Sequence, residues 1–486
     1  PDTYCDNSFN LKMYKCFWEN CIPPSTEPPT TVPAQQPCRW SLPECWENGI
    51  PPPGANITIQ QDVKMYVDIP NIDVDLLFTE GGLVFDELAA RHYKLNARQI
   101  IANTGGGNHL ENIGRSMDNV YRSVSAAQRG FTVMSDAAIE VGTADNPWPC
   151  DGSVEIKLKG DKWQTEVGAP AAAVTIGAKA IAALGGLEMH GCPVANRMAY
   201  LKNTVQPGTN TITTDIDTQW KVGDHIFIAA TSYDMRESEE FQITAISGAT
   251  ISLNSQIRFA HLGKDETTTL AYGGVEEHFG AEIGLLTRNV VIDGSDQDEM
   301  IFGGRVVVMR SKEGDTLRYG HGQFQNVEFR HMGQFGYEEP DDRRSPIFLW
   351  GLQDAGIEEP LYNLKKSYVK DCTFHKCWNS AIGSQHTFNF EVSGNVIYDV
   401  VTDAIILNGA SGAVVRNNLI ARVVFPPLHE GHLEFFTEIP EDLAPAGIEI
   451  TDVTDVILEG NIVAGSDGPC YQTMFETCDS SEQCSV

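Results

Sequence analysis

A repeat of about 23 residues in the C-terminal half is the feature that most limits how this chain can fold. The segments "CTFHKCWNSAI" (372–382), "NVIYDVVTDAI" (395–405) and "NLIARVV" (418–424) follow one another at this spacing and share one phase. Further copies, "NVEFRHMG" and "NIVAG", begin at Asn326 and Asn461, each about two periods from its neighbour. Short β-rich runs at a fixed period predict a solenoid, in which every repeat adds one rung.

The composition fits a large β-rich protein and excludes some partners. The chain has 486 residues, of which 42% are apolar, and its 44 glycines and 25 prolines predict many turns. Its formal net charge is −32, and a surface that acidic repels nucleic acid and anionic membranes. No apolar run of about 20 residues predicts a membrane span, and no signal peptide is present. We therefore expect a processed chain, or one cut from a larger precursor, without nucleic-acid partners.

Twelve cysteines indicate an oxidising compartment and a set of disulfides. They crowd into the Cys-rich segment 1–21, the residues just after it and the segment 470–486, so both ends of the solenoid are expected to be stapled caps. No CxxC pair occurs, which disfavours structural zinc. One bridge is expected between Cys150 and Cys192, and the other pairings are left open. The residues expected in disulfides are Cys5, Cys16, Cys21, Cys38, Cys45, Cys150, Cys192, Cys372, Cys377, Cys470, Cys478 and Cys484.

A Pro/Thr-rich linker, "IPPSTEPPTTVPAQQP", occupies residues 22–37 and favours an extended chain. A carrier of O-glycans and a bare spacer are equally consistent with this composition. The candidate O-glycan sites are Ser25, Thr26, Thr30 and Thr31. One N-glycosylation sequon also occurs, at Asn56. Each alternative predicts a secreted or cell-surface location.

Glycine-punctuated strand patterns fill the middle of the chain, and their order carries a family resemblance. "EGGLVF", "IEVGT", "GAKAIAALGGLEMHG", "VGDHIFIAATSYDMRESEEFQI" and "HLG" follow one another between residues 80 and 263. With an approximate "W-x-x-G-x-P" element at Trp46, this series resembles the eight-glycine domain of fibrocystin, fibrocystin-like proteins and related cell-surface hyaluronan-degrading proteins. "AEIGLLTRNVVIDG" (281–294) and "GQFQNVEFRHMGQ" (322–334) resemble the same family, and the resemblance covers about 40–470.

The resemblance implies an all-β fold in which an eight-glycine module packs onto a right-handed parallel β-helix. The expected divisions are an eight-glycine domain at 38–263, with an inserted loop at about 103–131, and a β-helix at 264–469. Each rung of a β-helix pairs with the next, so equivalent side chains stack. Asparagine suits a column at a turn, because its amide pairs with the next amide and it tolerates left-handed backbone. The expected ladder consists of Asn326, Asn395, Asn418 and Asn461.

Catalytic motifs are absent from the sequence. It has no GxSxG elbow, HExxH pair, P-loop or GxGxxG, and among 66 acidic residues no carboxylate pair can be singled out. In hyaluronan-degrading relatives the resemblance implies a "PIHFH"-like element where this chain has Phe348, Leu349 and Trp350, and a histidine where it has Asp403. Both departures remove imidazoles that serve as acid–base groups or metal ligands. No catalytic residue is predicted, and glycan hydrolysis is the weaker hypothesis.

Ca²⁺ is the one cofactor with candidate ligands in the sequence. The acidic turn "DGSDQDE" (293–299) offers carboxylates and carbonyls, although Gly294 breaks the EF-hand order. "HEGHLE" (429–434) places two histidines and two glutamates close together in an insertion between rungs. A solvated turn and a solvated loop are the favoured alternatives. The candidate ligands are Asp293, Asp296, Asp298, His429 and His432.

Together these features predict an extracellular structural or adhesive protein built as a rigid stack of rungs. Subunits are expected to contact one another end to end, or to contact other extracellular proteins. The alternative is a protein that binds or degrades an extracellular polysaccharide. In that case Trp350, Trp378 and Tyr398 line a groove, although stacking in the core is the favoured use of these rings.

Overall fold

The structure is a computed structural model that describes most of the chain between residues 37 and 474. The regular elements in it are β-strands and three 3-10 turns, Pro43–Cys45, Met235–Glu237 and Lys264–Glu266, and no α-helix occurs in these ranges. The described ranges are 37–103, 120–124, 138–161, 176–266, 270–272, 275–277, 279–295, 301–313, 316–335, 343–352, 365–425 and 445–474.

The strands are short and fall into three groups along the chain. The first group is β1 (Cys38–Arg39), β2 (Ala55–Ile59), β3 (Lys64–Val67), β4 (Asn71–Thr79), β5 (Gly82–Phe85), β6 (His92–Ala97), β7 (Gln99–Ala102), β8 (Val120–Arg122), β9 (Ala138–Val141), β10 (Ser153–Leu158), β11 (Ala180–Ala183) and β12 (Gly186–His190). The second group is β13 (Met198–Tyr200), β14 (Thr211–Thr213), β15 (His225–Ile228), β16 (Glu239–Ser247), β17 (Thr250–Leu253), β18 (Leu270–Tyr272), β19 (Val275–Glu277) and β20 (Glu282–Leu285). The third group is β21 (Val290–Asp293), β22 (Arg305–Glu313), β23 (Thr316–Tyr319), β24 (His321–Gln325), β25 (Val327–Arg330), β26 (Ile347–Trp350), β27 (Tyr368–Lys370), β28 (Thr373–Cys377), β29 (Ile382–Gln385), β30 (Glu391–Ser393), β31 (Val396–Val401), β32 (Ile405–Asn408), β33 (Val414–Arg416), β34 (Leu419–Val424), β35 (Ile448–Thr451), β36 (Ile457–Glu459), β37 (Ile462–Ser466) and β38 (Tyr471–Met474).

Parallel pairing between successive turns of the chain builds three faces. The first face has the order β1-β3-β5-β9-β12-β24-β27-β30-β33-β36. The second face runs β4-β6-β10-β21-β25-β28-β31-β34-β37. The third face runs β8-β2-β4-β7-β11-β22-β26-β29-β32-β35-β38. Strand β4 belongs to two faces, because Asn71–Asp73 pair with β6 and Leu76–Thr79 pair with β7. The predicted all-β parallel β-helix is confirmed.

Inward-facing side chains stack on their equivalents in neighbouring rungs. The rings of Phe329 and Phe374 are nearly parallel, with centroids 4.8 Å apart. Burying each such side chain contributes about 1.5–3 kcal/mol, so apolar residues must recur at the repeat period. One column on the second face consists of Ile72, Leu95, Ile156, Ile292, Phe329, Phe374, Ile397, Ile420 and Val463.

An antiparallel sheet interrupts the β-helix between β12 and β21. It has the order β13-β20-β15-β16-β17-β14 and encloses its own core around Ile226, Phe241 and Ile283. We call residues 198–285 the inserted module. The faces run past it without a break, since β12 pairs with β24 and β10 pairs with β21. This corrects the predicted division between residues 263 and 264, because the strands before the inserted module are themselves rungs of the β-helix.

The inserted module packs onto the second face. Phe227 of β15 stacks on Tyr398 of β31, with ring centroids 4.4 Å apart and 8° between the planes. Leu286, Val396 and Leu419 belong to the same buried cluster. Tyr398 is only 2% exposed, so this ring serves packing and does not line a groove.

The N-terminal end of the β-helix is closed by the segment that follows β1. A disulfide joins Cys38 to Cys45. Trp40 and Trp46 are buried beside it, with ring centroids 5.1 Å apart. An antiparallel bridge from Trp46 to Ser123 links this segment to the edge of the third face.

The C-terminal end differs, because its strands remain accessible. Strands β36, β37 and β38 are the last of the three faces among the described residues. Ile457, Leu458 and Tyr471 are 54%, 39% and 45% exposed there. We call this surface the C-terminal edge.

Asn395, Asn418 and Asn461 form an amide ladder at the corner that precedes the second face. Asn395 Nδ2 donates to Asn418 Oδ1, and Asn418 Nδ2 donates to Asn461 Oδ1, each at 2.9 Å. Asn395 Oδ1 accepts from the backbone N–H of Cys372, also at 2.9 Å. The column therefore continues on the backbone of the preceding rung.

Asn326 does not belong to that ladder, which corrects the prediction. Strand register places Asn326 beside Asp371, one position before the column. This preceding position has left-handed backbone in successive rungs, with φ of 53° at Asn326, 51° at Asp371, 69° at Gly394 and 55° at Asn417. A single asparagine is predicted from the sequence to adopt left-handed backbone and also to pair its side-chain amide. In the structure the left-handed residue and the residue with the paired amide are neighbours in the chain.

Rung length also departs from the prediction. Asn395 and Asn418 are 23 residues apart, whereas Asn418 and Asn461, on equally adjacent rungs, are 43 apart. The longer spacing was expected to cover two periods. It is a single rung that contains a long insertion, and the same holds between β25 and β28.

Among the described cysteines two disulfides form, Cys38–Cys45 and Cys150–Cys192. Cys372 and Cys377 are free and buried, so their expected pairing is wrong. Both side chains pack in the core of the rungs, and burial raises the pKa of each thiol to about 12. Cys470 is exposed and is not bonded to any described cysteine. The cysteines that lie outside the described residues are Cys5, Cys16, Cys21, Cys478 and Cys484.

Candidate functional site

Polar residues line the corner where the second face turns into the third. Ser345, Ser380 and Asp403 each lie two residues before a strand of the third face, so they stack in successive rungs. All three are at most 2% exposed. Ser380 Oγ lies 3.0 Å from Thr402 Oγ1. Ser345 Oγ faces Gly383, where a Cβ atom would lie only 2.7 Å from it, so the corner has no room for a larger residue there.

Asp403 and Glu449 are two buried carboxyl groups beside one guanidinium. Asp403 Oδ1 accepts from the backbone N–H of Ala446 at 2.9 Å. Glu449, on β35, is 1% exposed, and its Oε1 lies 4.0 Å from Arg343 Nη2. Burial, followed by repulsion from Glu449, raises the pKa of Asp403 to about 7. A carboxyl group of that pKa is partly protonated at neutral pH, as a general acid requires.

The residues that stand where the resemblance implies a "PIHFH"-like element, Phe348, Leu349 and Trp350, are apolar. Phe348 is 1% exposed and packs with Val307 on the outside of the third face. Leu349 lies in the core of the rungs. Trp350 is half-buried, and the guanidinium carbon of Arg310 lies 5.0 Å from its ring centroid, a cation–π contact. This stretch supplies no acid–base group.

Charged residues also cluster on the second face, where cations surround each carboxyl group. Asp293 Oδ1 lies 3.0 Å from His331 Nδ1, and its Oδ2 accepts from Arg330 Nε at 3.0 Å. The backbone N–H of Ser295 donates to it at 2.8 Å. Burial opposes ionisation, but these contacts outweigh it and hold the pKa of Asp293 well below its usual range. Both oxygens are engaged by protein groups, which argues against Asp293 as a Ca²⁺ ligand.

Glu328 occupies the same face one column away. It is 4% exposed and accepts from His375 Nε2 at 3.0 Å and from the backbone N–H of Arg288 at 2.9 Å. Arg330 Nη1 lies 3.4 Å from its Oε1. Burial again opposes ionisation, and the hydrogen bond and charge of His375 outweigh it, so the pKa of Glu328 is lowered. The cluster connects Arg288, which follows the inserted module, with β25 and β28 of the second face.

The other predicted sites are placed as follows. Asn56 is half-buried in β2, which is paired on both sides by β4 and β8, so N-glycosylation there stays a prediction. Trp378 is half-buried. Across the described ranges, no group of three or more His, Cys, Asp or Glu side chains has the geometry of a metal site. The predicted residues that lie outside those ranges are Ser25, Thr26, Thr30, Thr31, Asp296, Asp298, His429 and His432.

Sequence reasoning missed Glu449. The residue lies 46 positions after Asp403, across the long insertion, and no motif links the two. Register supplies the link, because Glu449 pairs with Ile406 and continues the outward column of Gly383. The available signal was a charged residue in an apolar strand, "GIEIT", where the equivalent strand has isoleucine.

Comparison with known proteins agrees with this architecture. The family model for the G8 domain matches residues 45–202, and that for the CEMIP beta-helix matches residues 301–483. The first match covers the early rungs and the second covers the late ones. These matches define a class of β-helix proteins whose first rungs are a G8 domain.

Relatives with similarity along nearly the whole chain narrow the class. Fibrocystin-L of Mus musculus is 27% identical over 98% of this chain, and fibrocystin-L of Homo sapiens is 27% identical over 97%. Fibrocystin of Mus musculus is 25% identical over 94%. The chain is therefore similar to proteins of the fibrocystin-like family along nearly its whole length. It spans about a tenth of the length of these relatives, which is 11%, 10% and 10% respectively.

The two disulfides among the described residues agree with an oxidising compartment. None of the described residues forms a helix long and apolar enough to cross a membrane. Among solved structures, the tailspike of Acinetobacter baumannii bacteriophage AP22, solved with a capsular saccharide, aligns with 82% of this chain and 53% of its own. Its identity is 8% and its TM-score 0.17, so the assignment of the fold rests on the strand pairing alone.

Proposed function

We propose that this chain is an extracellular architectural or adhesive protein without hydrolytic activity. The observation that carries the proposal is the sealing of the corner, since Asp403 and Glu449 are only 2% and 1% exposed. A general acid must come within hydrogen-bond distance of the glycosidic oxygen, and a buried pair does not. Phe348 fills the adjacent outward position with an apolar ring. A stack of rungs closed in this way is suited to hold a fixed shape.

Depolymerisation of size-defined hyaluronan and of a panel of neutral and acidic polysaccharides tests the proposal. The assay is run with Ca²⁺ and with chelator, and we expect no shortening of any polymer. The second candidate function, polysaccharide degradation, is favoured by the pKa of Asp403, which is raised to about 7 beside a second carboxyl group. Shortening that Asp403→Asn abolishes, and that Glu459→Gln at the exposed strand β36 leaves intact, would establish that alternative.

We further propose that copies of the chain meet through the C-terminal edge. Edge strands present unpaired N–H and C=O groups that pair readily with another chain. Among the described residues β36, β37 and β38 are the last strands of their faces, and exposed Ile457, Leu458 and Tyr471 add apolar area there. At the N-terminal end, Trp40 is buried beside the disulfide that joins Cys38 to Cys45. Two copies that use the same surface are related by a two-fold axis, so the contact gives a closed dimer rather than a filament.

Sedimentation at increasing protein concentration tests this contact. We expect a monomer–dimer equilibrium that Ile457→Lys shifts to monomer. Leu88→Lys provides the matched control, because Leu88 is 86% exposed and lies in the turn after β5. That turn belongs to an early rung and not to the C-terminal edge. A strict monomer at high concentration, or equal effects of the two substitutions, would overturn the proposed contact.

A further inference from the structure

We infer that the inserted module is a brace, which makes the late rungs of the β-helix open as one unit with it. The late rungs are those that contain β30 to β37. The chain leaves β12 for the module and returns to β21, yet Ile462 and Ala464 of β37 pack against the cluster that contains Phe227 of the module. In a plain solenoid each repeat contacts only its neighbours, so the rungs at an end open first and separately. The inference goes beyond the proposed function and does not rest on it.

The root of the module is fixed to the early rungs. Cys192, between β12 and β13, is joined by a disulfide to Cys150, which precedes β10. The N–H of Cys192 donates to Asn289 Oδ1 at 2.8 Å. Asn289 Nδ2 in turn donates to the carbonyls of Pro149 and Gly152, at 2.9 and 3.0 Å. The leaving segment, the returning segment and the turn before β10 are therefore held together.

The middle of the module packs on β31 and β34. The Phe227 ring, stacked on Tyr398 of β31, is fully buried, and it belongs to this contact rather than to the module's own core. A Cβ atom on Gly284 of β20 would lie 2.8 Å from Val396 Cγ1, so the module approaches β31 as closely as a glycine permits. Leu419 of β34 is buried in the same cluster. This contact holds two late rungs to the module.

The 3-10 turn that contains Arg236 lies against β34 and β37. Arg236 Nη2 donates to Asp467 Oδ2 at 2.6 Å, one residue after the end of β37. The same oxygen accepts from the N–H of Phe425, which follows β34, at 2.9 Å. A Cβ atom on Gly465 of β37 would lie only 2.5 Å from Met235 Cβ. Asp467 thus ties the module to the ends of two late strands at once.

A brace changes which contacts an opening event must break. Between β10, at the root, and β37 the second face carries β21, β25, β28, β31 and β34, a span of about 30 Å at about 4.8 Å per strand. Opening β37 alone breaks the ion pair of Arg236 and uncovers Ile462 and Ala464. Opening β34 also uncovers Leu419, which is fully buried. The contacts of the module therefore favour concerted opening over fraying.

Native-state hydrogen exchange of the whole chain in low guanidinium tests the brace. We expect peptides that cover β16 and β17 of the module and peptides that cover β33 to share one opening free energy and one dependence on denaturant. Strand β33 is the sensitive reporter, because it belongs to the first face and the module packs on the second. Separate opening free energies for the two sets of peptides would overturn the brace.

Substitutions on the two sides of the contact test the coupling in both directions, since coupling between two sites is reciprocal. Phe227→Ala removes the ring that stacks on Tyr398 and should speed exchange of β33 by at least about a hundredfold, as expected for a buried Phe. Arg416→Gln removes a pair with Glu391 on the first face, 2.8 Å long. It should speed exchange of β16 and β17 about three- to fivefold. An effect confined to the substituted side in both variants would count against the brace.

Arg236→Gln and Arg39→Gln form a matched pair that leaves the apolar cores intact. Arg236 Nη2 and Arg39 Nη1 each lie 2.6 Å from an aspartate oxygen, and these aspartate side chains are 13% and 11% exposed. Arg39 joins β1 to the turn after β5, whereas Arg236 joins the module to the end of β37. Arg236→Gln should speed exchange of β33 about three- to fivefold, and Arg39→Gln should leave it unchanged. Equal effects of the two substitutions, or no effect of Arg236→Gln, would show that the module does not brace the late rungs.

Discussion

Two sets of buried carboxyl groups lie on adjoining faces of the same β-helix, and their proton affinities are shifted in opposite directions. On the second face, Asp293 and Glu328 are surrounded by cationic side chains, and their pKa values are lowered. On the third face, Asp403 is buried beside the carboxyl group of Glu449, and its pKa is raised to about 7. Burial is similar in the two sets. Burial opposes ionisation in both sets, and in the first set the hydrogen bonds and nearby charges outweigh it.

The same difference predicts opposite contributions to stability. The ion pairs of the second face hold the inserted module's side of the β-helix most firmly near neutral pH and lose this effect in acid. The pair on the third face is most favourable when protonated and becomes unfavourable as the pH rises. A protein with both sets is expected to be most stable in the mildly acidic range, between the two limits.

The largest effect is expected for Glu328→Ala. Removing one partner of a buried ion pair leaves the other charges uncompensated, which costs about 3–5 kcal/mol. The hydrogen bonds from His375 and from the backbone of Arg288 are lost with the carboxylate. Guanidinium denaturation at pH 7 measures the change in the free energy of unfolding. Glu155→Gln is the control, because that side chain is 31% exposed and its ion pair with Arg330 is long, at 3.7 Å. A cost of about 1 kcal/mol or less is therefore expected. Similar losses in both variants would contradict the comparison.

Asp293→Asn is expected to have the next largest effect, about 1.5–3 kcal/mol at pH 7 for lost charged hydrogen bonds. The sign of its pH dependence follows from the lowered pKa of Asp293. A carboxyl group of this kind contributes stability above its unfolded pKa, near 3.9, and loses it as the pH falls through the folded value. Thermal unfolding between pH 5 and pH 2 should thus fall less steeply in Asp293→Asn than in the unsubstituted protein. Asp145→Asn, at an exposed turn, should leave the slope unchanged.

Asp403→Asn is expected to act in the other direction and at the other end of the pH range. The pKa of Asp403 is raised to about 7, so its contribution to stability is complete below the unfolded value, near 3.9, and is lost as the pH rises through 7. At pH 8 the substitution should raise the free energy of unfolding by about 1–2 kcal/mol, because it removes a buried charge whose cost the N–H of Ala446 offsets only in part. Denaturation at pH 5 and pH 8 measures both limits. A loss of stability at pH 8 would show that Asp403 is ionised and well paired.

The difference between the two faces also marks the limit of what the sequence predicts. The regular spacing of Asn395 and Asn418 predicts the rungs and the amide ladder, because an asparagine recurs at the same position of successive rungs. Neither Asp403 nor Glu449 is repeated in this way. They meet because a rung of variable length returns the chain to the same corner, and local periodicity carries no information on that return. The misplacement of Asn326 by one position has the same origin, since a long insertion shifts the apparent phase.

The smallest predicted effects come from two serines in the column of Asp403. Ser380 Oγ bonds Thr402 and Asp403, so Ser380→Ala should cost about 1 kcal/mol. Ser345 Oγ is buried and makes no hydrogen bond to the described residues, so Ser345→Ala should be neutral or stabilising by up to about 1 kcal/mol, because it removes an unpaired polar atom. Denaturation at pH 5 and pH 8 compares the two.

Ser380 lowers the pKa of Asp403 through its hydroxyl, so Ser380→Ala should move the alkaline loss of stability to higher pH. Ser345→Ala should leave it in place, and a shift in both would mean that the whole column, rather than the Ser380 hydroxyl, sets the proton affinity of the corner.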